Sequence, residues 1–521
     1  MVRTVAILDT VAGREPEECA RTSELIAAIS LAIDLATGQP MEHALRTCRL
    51  ATAVAGELGL DPGTTADVYY VALLRFLGCT ADAPEMARLA GGDNLEFFAG
   101  FAPVYMGSAR EGLRAVARGA GRGQPLPRRA RLFVESLQAS GSEVSHCEVG
   151  ARLADRLGLG SGVVDALGHA YERWDGRGLP DGLSGEAVPI AVRVVVVARD
   201  AVLWHRLAGI GTALDVLGKR RGRAYDPVVV DAVRAVGLAD EDGALWDEVL
   251  AAEPEPVGRM DADGLDRALA AVGDFADLRS TWTRGRSARL ARTARLAGEA
   301  CRLPDAEVAT LRRAALVADV GTVGVPAGAW QRAGPLDLAA TERVRLHPYL
   351  SERVLGRCAG LEAVAQLAGA HHERLDGSGY HRGTAGARLS SPARLLAAAD
   401  VWTALTEDRS YRPALSRGRA RDLLWAEATG GRLDATAVEA VLSSSDGTTG
   451  HRPVARPAGL SEREVEVLRL IARGHSNREV AGRLWISAKT VGHHVEHIYR
   501  KLGVTTRPAA ALFAMENGLL D

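Results

Sequence analysis

Apolar residues along this chain return every three or four positions, the period of a helix buried on one side. Between 290 and 303, Leu290, Ala294, Ala297 and Cys301 fall at i, i+4, i+7 and i+11. Residues 194–197 are four consecutive valines, strand-like by propensity. The matching stretch LLAAAD (395–400) is helix-forming, so both segments are expected to be helices. Near the C-terminus Val491, Val495, Ile498 and Leu502 share one apolar face, and Lys489, His493, Glu496, His497 and Arg500 lie on the other. Ser461 with Glu464 and Ser476 with Glu479 have the spacing of capping boxes. Gly474 and Gly503 stand where helices should stop. The pattern predicts an all-α chain. VRTVAILDT (2–10) predicts a short strand or an extended lead-in, because no βαβ alternation follows it.

The chain repeats itself. ERWDGRGLP (172–180) and ERLDGSGYH (373–381) lie 201 residues apart, as do His146 and His347, and Asp200 falls in register with Asp400. Upstream, 43–60 pairs with 286–303 at an offset of 243, so the first copy carries about 40 extra residues near 81–125. This divides the chain into a first repeat (1–250), a second repeat (265–442), a flexible linker (443–458) rich in Ser, Gly, Thr and Pro, and a compact unit at 459–521. A shorter linker, 251–264, joins the copies.

Composition narrows the function. Lys plus Arg number 63 and Asp plus Glu 65, a net of -2, so any nucleic-acid site is local. Residues 459–521 hold nine Arg or Lys against seven Asp or Glu. The six Cys form no CxxC pair, which fits a reduced compartment. The most apolar run, 190–204, is broken by Arg193, Arg199 and Asp200 and is too short to span a bilayer. No signal peptide is recognisable. A cytoplasmic protein without membrane association is expected.

A short helix, a turn at Trp485–Ser487 and a second helix with a polar outer face describe a helix-turn-helix. LSEREVEVLRLIARGHSNREVAGRLWISAKTVGHHVEHIYRKLGV (460–504) resembles the LuxR/NarL-type DNA-binding domain over its whole length. The resemblance implies four helices, duplex DNA as partner and a homodimer. It places Asn477, Lys489, Thr490, His494, Arg500 and Lys501 near phosphates. Gly492, His493 and Glu496 fall at base-reading positions. Glu496 either accepts from a cytosine or repels phosphate.

In the second repeat, His347 and the adjacent His371 and His372 are flanked by Asp319 and Asp400. Neutral imidazole and carboxylate are the donors of Zn, Fe and Mn sites. ALVADVGTVGVP (315–326), RLHPYLSERVL (345–355), HHERLDGSGYHRG (371–383) and ARLLAAADVWTAL (393–405) resemble the HD-GYP phosphodiesterase family. Those all-helical enzymes open cyclic di-GMP with metal-activated water. The resemblance makes Asp319, His347, His371, His372 and Asp400 the metal ligands and Asp319 the catalytic candidate. The family's HD histidine is here Ala318, its earlier histidine Arg286, its lysine Thr322 and its final proline His381. One divalent ion at most (Fe, Mn or Zn) is therefore expected, because Arg286 brings a cation into the other metal's place. In the first repeat His43, His146 and Asp200 remain, but Arg75-Phe76 replaces the HD pair and Ala170-Tyr171 replaces two histidines. His169 lies one position off. No metal is expected there.

Three functions compete. A transcription regulator would use the repeats to sense a nucleotide or hold a dimer, with little or no hydrolysis. A metal-dependent phosphohydrolase would carry an appended DNA-binding domain. A docking scaffold would use the insert at 81–125.

Overall fold

The computed structural model describes residues 20–105, 107–138, 141–238, 244–446 and 456–520. The lead-in 2–10 lies outside them. Among the described residues the one sheet is a two-residue antiparallel pair, Ala20–Arg21 with Arg259–Met260, and the rest of the regular structure is helical. The valine run lies in the helix Ile190–Arg220 and LLAAAD in Ser391–Thr406. Burial overrides strand propensity, since Val194, Val195 and Val197 are wholly enclosed.

Each repeat opens with a helix that enters the core, Thr22–Ala36 and the amphipathic Ala262–Asp277. The first is buried on nearly every side, as a helix apolar all round must be. It packs on Pro62–Leu74 of its own half, and on the turn Val320–Gly324 and helix His347–Leu355 of the other. Ala262–Asp277 answers it, packing on Asp305–Val317 and on Ser142–Arg156 of the first half. Each lead helix thus braces the opposite repeat, and one continuous core joins them. Asp34 accepts from the Ala44 amide at 3.2 Å, and Asp277 accepts from the Ser287 amide at 2.9 Å. These two bonds are equivalent at the upstream offset of 243.

Two close contacts repeat as well. A β-carbon at Gly78 would lie 2.0 Å from the His146 carbonyl oxygen, and one at Gly321 would lie 2.2 Å from that of His347. Glycine alone lets each turn lie against the helix bearing its histidine. Glu172 accepts from the Asp181 and Gly182 amides, and Glu373 from those of Arg382 and Thr384. These buried carboxylates fold each glycine-rich loop back beside its site.

The insert is helical, with Ala83–Ala90, Asn94–Phe101 and Ala109–Gly119, the last two capped by Asp93 and Ser108. The stretch expected as linker starts later than the sequence suggested. Helix Ala435–Asp446 continues to 446, with the Ser443, Ser444 and Ser445 hydroxyls bonded back to carbonyls one turn earlier. Residues 447–455 lie outside the described residues. Beyond them stand four helices, Glu462–Ala472, Asn477–Leu484, Ala488–Leu502 and Arg507–Glu516, with both capping boxes closed. No described helix is long and apolar enough to cross a membrane.

Candidate functional site

In the second repeat, Asp319 follows helix Asp305–Val317, His347 begins helix His347–Leu355, and His371 and His372 follow Glu362–Ala370. Asp400 projects from the middle of Ser391–Thr406. His347 Nδ1 donates to the Val344 carbonyl and His371 Nδ1 to that of Ala368, each at 2.6 Å. Their protons fixed outward, the two Nε2 atoms face each other at 3.0 Å. Asp319 Oδ1 lies 3.4 Å and 3.6 Å from them. The ligand atoms of His347, His371 and His372 fall within 4.8 Å of one another. Three imidazoles and a carboxylate converging on one point fit a cation. Burial, reinforced by His371, pushes His347 down to about 3 and His372 well below its ordinary value, so both are neutral imidazoles. Burial opposes charge on His371 too, but the Asp319 carboxylate raises it.

The other side of Asp319 is occupied. Buried Arg286 donates Nε to Asp319 Oδ2 at 2.9 Å, Nη1 to Glu407 Oε2 at 3.1 Å and Nη2 to Asp400. Burial alone would raise the Asp319 carboxyl; Arg286, His371 and His347 hold it well below the usual range. Asp400 also lies 3.4 Å from His372 Nδ1. The sequence-predicted set of Asp319, His347, His371, His372 and Asp400 is thus brought together, split between a histidine face and a guanidinium face. Above it opens a cleft of about 560 Å³ lined also by Arg279, Trp330 and Tyr380. Thr322, at the lysine position, turns its hydroxyl to the Asp319 carbonyl at 2.6 Å.

Sequence reasoning missed Glu407, Arg279 and Glu373. Glu373 had a signal, because ER follows the histidine position in both repeats. Glu407 has no counterpart in the first copy, where residue 207 is leucine. Arg279 reaches the cleft only through tertiary packing.

The first repeat gathers no comparable ligand set among the described residues. His146 pairs with Asp82 at 2.7 Å and with the Tyr171 hydroxyl at 2.9 Å. Asp200 is held by Arg199, Arg220 and Tyr225. Both ring nitrogens of His43 are buried without a hydrogen-bond partner. His169 turns away, to Asp165 and Asp181.

In the C-terminal unit, Trp485 makes the left-handed turn at φ 56°, and Ser487 caps the third helix. Lys489, Thr490, His493, Glu496, His497 and Arg500 are exposed on that helix, and His494 is half-buried. Two sequence-predicted contacts are engaged internally. Lys501 donates to Glu464 at 2.7 Å, and Asn477 accepts from Arg507 at 2.9 Å.

Residues 144–229 and 271–437 match the HD domain, and residues 458–514 match the bacterial regulatory proteins of the luxR family. The chain carries an HD domain in each half and a luxR-family domain at its C-terminus. It is 29% identical to the 3'3'-cGAMP-specific phosphodiesterase 3 of Vibrio cholerae, over 76% of this chain and 89% of that protein. The crystal structure of a cyclic GMP-AMP-specific phosphodiesterase from V. cholerae superposes with a TM-score of 0.57 at 24% identity, covering 82% of this chain and 98% of that one, which shows the shared fold. The luxR-type end is 45% identical over 62 residues to the oxygen regulatory protein NreC of Staphylococcus aureus, or 12% of this chain and 29% of that protein.

The luxR-family domain is docked on the HD repeats. Its fourth helix, with Ala509–Met515 buried, packs on Ser142–Arg156 and Ala262–Asp277. Glu148 accepts from the Thr505 and Thr506 amides at 2.6 Å and 3.0 Å, and Glu516 pairs with Arg152 at 3.1 Å. From the second HD repeat, Arg284 donates to the Ala472 carbonyl at 2.6 Å.

Proposed function

We propose that this chain is a DNA-binding transcription regulator whose tandem HD repeats sense a ligand or hold a dimer, with little or no phosphodiesterase activity. The observation that carries this reading is Arg286. Two-metal hydrolysis needs ions on both the attacking and the leaving oxygen. A guanidinium among Asp319, Asp400 and Glu407 uses up their charge and repels a second dication. The histidine face fits one divalent ion (Fe, Mn or Zn), held by Asp319, His347, His371 and His372. Such an ion supplies Lewis acidity and a more acidic bound water. Asp319 and the outward-fixed imidazoles orient the donors, and Trp330 and Tyr380 wall the cleft. The first repeat, with Arg75 and Tyr171 at ligand positions, is read as metal-free.

The luxR-family domain binds duplex DNA as a homodimer, in the cytoplasm, on half-sites about one helical turn apart. Lys489, Thr490, His494 and Arg500 contact phosphates, and His493 and Glu496 face the bases. Asn477 keeps its Nδ2 donors for phosphate while Oδ1 accepts from Arg507, and Lys501 keeps one donor beyond its bonds to Gly459 and Glu464. The test is a DNA titration across salt with the full chain. Lys489→Ala and Arg500→Ala should each weaken binding to all sequences alike and reduce the salt slope by about 1. Equal binding by a chain ending at Asp446 overturns the reading.

A second reading, a metal-dependent phosphohydrolase with an appended DNA-binding domain, is favoured by one observation. The Asp319 and triple-histidine face is complete, and a relative at 29% identity is named a cyclic dinucleotide phosphodiesterase.

A further inference from the structure

The first repeat has lost its metal ligands, yet its site has not collapsed. A cavity of about 580 Å³ stands at the position equivalent to the second repeat's cleft. Its floor carries Arg75, Tyr171, His146 and Asp200, and its roof is the insert, through Phe97, Phe98 and Phe101. Arg199 and Arg220 pin that roof by donating to the Ala102 and Pro103 carbonyls at 2.8 Å and 3.0 Å. The phenylalanines are only half-buried, and the Phe97 and Phe101 rings lie 4.7 Å apart.

Carboxylates and arginines both line this cavity, Glu85 and Glu143 among them, and most have partners. Asp200 is answered by Arg199 and Arg220, Asp82 by His146, and Glu172 by backbone amides. Arg75 is not answered. Its Nε and Nη1 are buried without a hydrogen-bond partner, and its guanidinium lies 5.5 Å from the Phe76 ring centre and 5.6 Å from that of Tyr171. A buried cation with unused donors is costly unless an anion completes it. Arg173 and Arg199 also keep a buried, unbonded Nε in this cavity.

We propose that this cavity is a binding site for a small organic anion: one carboxylate or phosphate seated on Arg75, carried on an aromatic body that packs under Phe97, Phe98 and Phe101. The volume is that of a small-molecule pocket lined mainly by apolar groups with a few placed polar ones. Arg75 is thus a ligand-binding residue where the sequence shows only a lost metal histidine. Pro508, from the fourth helix of the luxR-family domain, reaches the same cavity. An occupant therefore touches the docked DNA-binding unit and can bias its docking.

The inference gives the sensory reading a site, while its test needs no DNA. The full chain is titrated with 2-naphthoate and with its neutral isostere 2-naphthamide, followed by calorimetry. Naphthoate should bind more tightly by about tenfold to a hundredfold, the worth of a charge-assisted hydrogen bond. Arg75→Gln should remove that difference and leave naphthamide unchanged, while Arg75→Lys should keep part of it. Should Arg75→Gln not fold, Phe98→Ser serves, and it should weaken both ligands together. Equal binding of the two probes, no binding of either, naphthoate binding untouched by both Arg75→Gln and Phe98→Ser, or displacement of naphthoate by a stoichiometric cyclic di-GMP would overturn the proposal. Naphthoate binding by a chain without DNA affinity would count against the regulator reading alone. DNA affinity without naphthoate binding would count against this inference alone.

Discussion

Replacing Arg286 by alanine removes a buried guanidinium and leaves Asp319, Asp400 and Glu407 facing one another out of water. Breaking a buried ion pair by deleting one partner costs about 3–5 kcal/mol, because the remaining charge stays desolvated. Glu407 keeps Arg289 at 2.7 Å, so Asp319 and Asp400 bear the loss and about 3–5 kcal/mol is expected. At a urea dependence of about 2–3 kcal/mol per M, the second repeat should unfold about 1–2.5 M earlier. Trp282 and Trp330 line the cleft and report the transition by fluorescence. The same substitution opens the place that the guanidinium fills. Added Mn²⁺ or Zn²⁺ should therefore restore most of the lost stability in Arg286→Ala, and more in Arg286→His, while stabilising the wild type far less. EDTA should reverse the gain. An Arg286→Ala chain that unfolds with the wild-type midpoint in EDTA would refute the reasoning, as would a variant indifferent to metal.

Glu496 is exposed, its carboxylate 3.7 Å from His493. If it repels phosphate, Glu496→Gln should tighten binding to every sequence, and a changed preference at one base position in a binding-site selection would show instead that it reads a base. Glu464 links the first capping box of the luxR-family domain to Lys501. Burial opposes its charge, but Lys501 and the Ser461 amide and hydroxyl hold its carboxyl down to about 2. Its contribution to stability should be full above the unfolded value near 4.5 and fall away as pH drops toward 2, a slope that Glu464→Gln should flatten in urea midpoints measured across pH.

Much of this architecture was legible in the sequence. The repeated ER-DG-G loops and the shared histidine spacing gave the duplication, and the offset of 243 reappears in the Asp34 and Asp277 bonds. Ser461 with Glu464 and Ser476 with Glu479 identified two helix starts, because capping is a local interaction. The exchange of histidine for Arg286 was visible, but its three partners were not. They come from segments up to 121 residues away, and Glu407 has no equivalent in the other copy. The helices of the insert were not legible, because its phenylalanines make sense only against the floor of the first repeat. Arg75 read as a loss, and the cavity that gives it a role is a property of packing. The burial of Ala509–Met515 against the HD repeats left no mark beyond an apolar face that any fourth helix would carry.

The most direct test of the central claim is hydrolysis of cyclic di-GMP and 3'3'-cGAMP by the full chain, reconstituted with Mn²⁺ or Fe²⁺ and with its metal content measured. With Arg286 in the second ion's place, the account predicts at most one ion per chain and no turnover above that of Asp319→Ala. Two ions per chain, with turnover that Asp319→Ala abolishes, would contradict it and make the chain a phosphodiesterase.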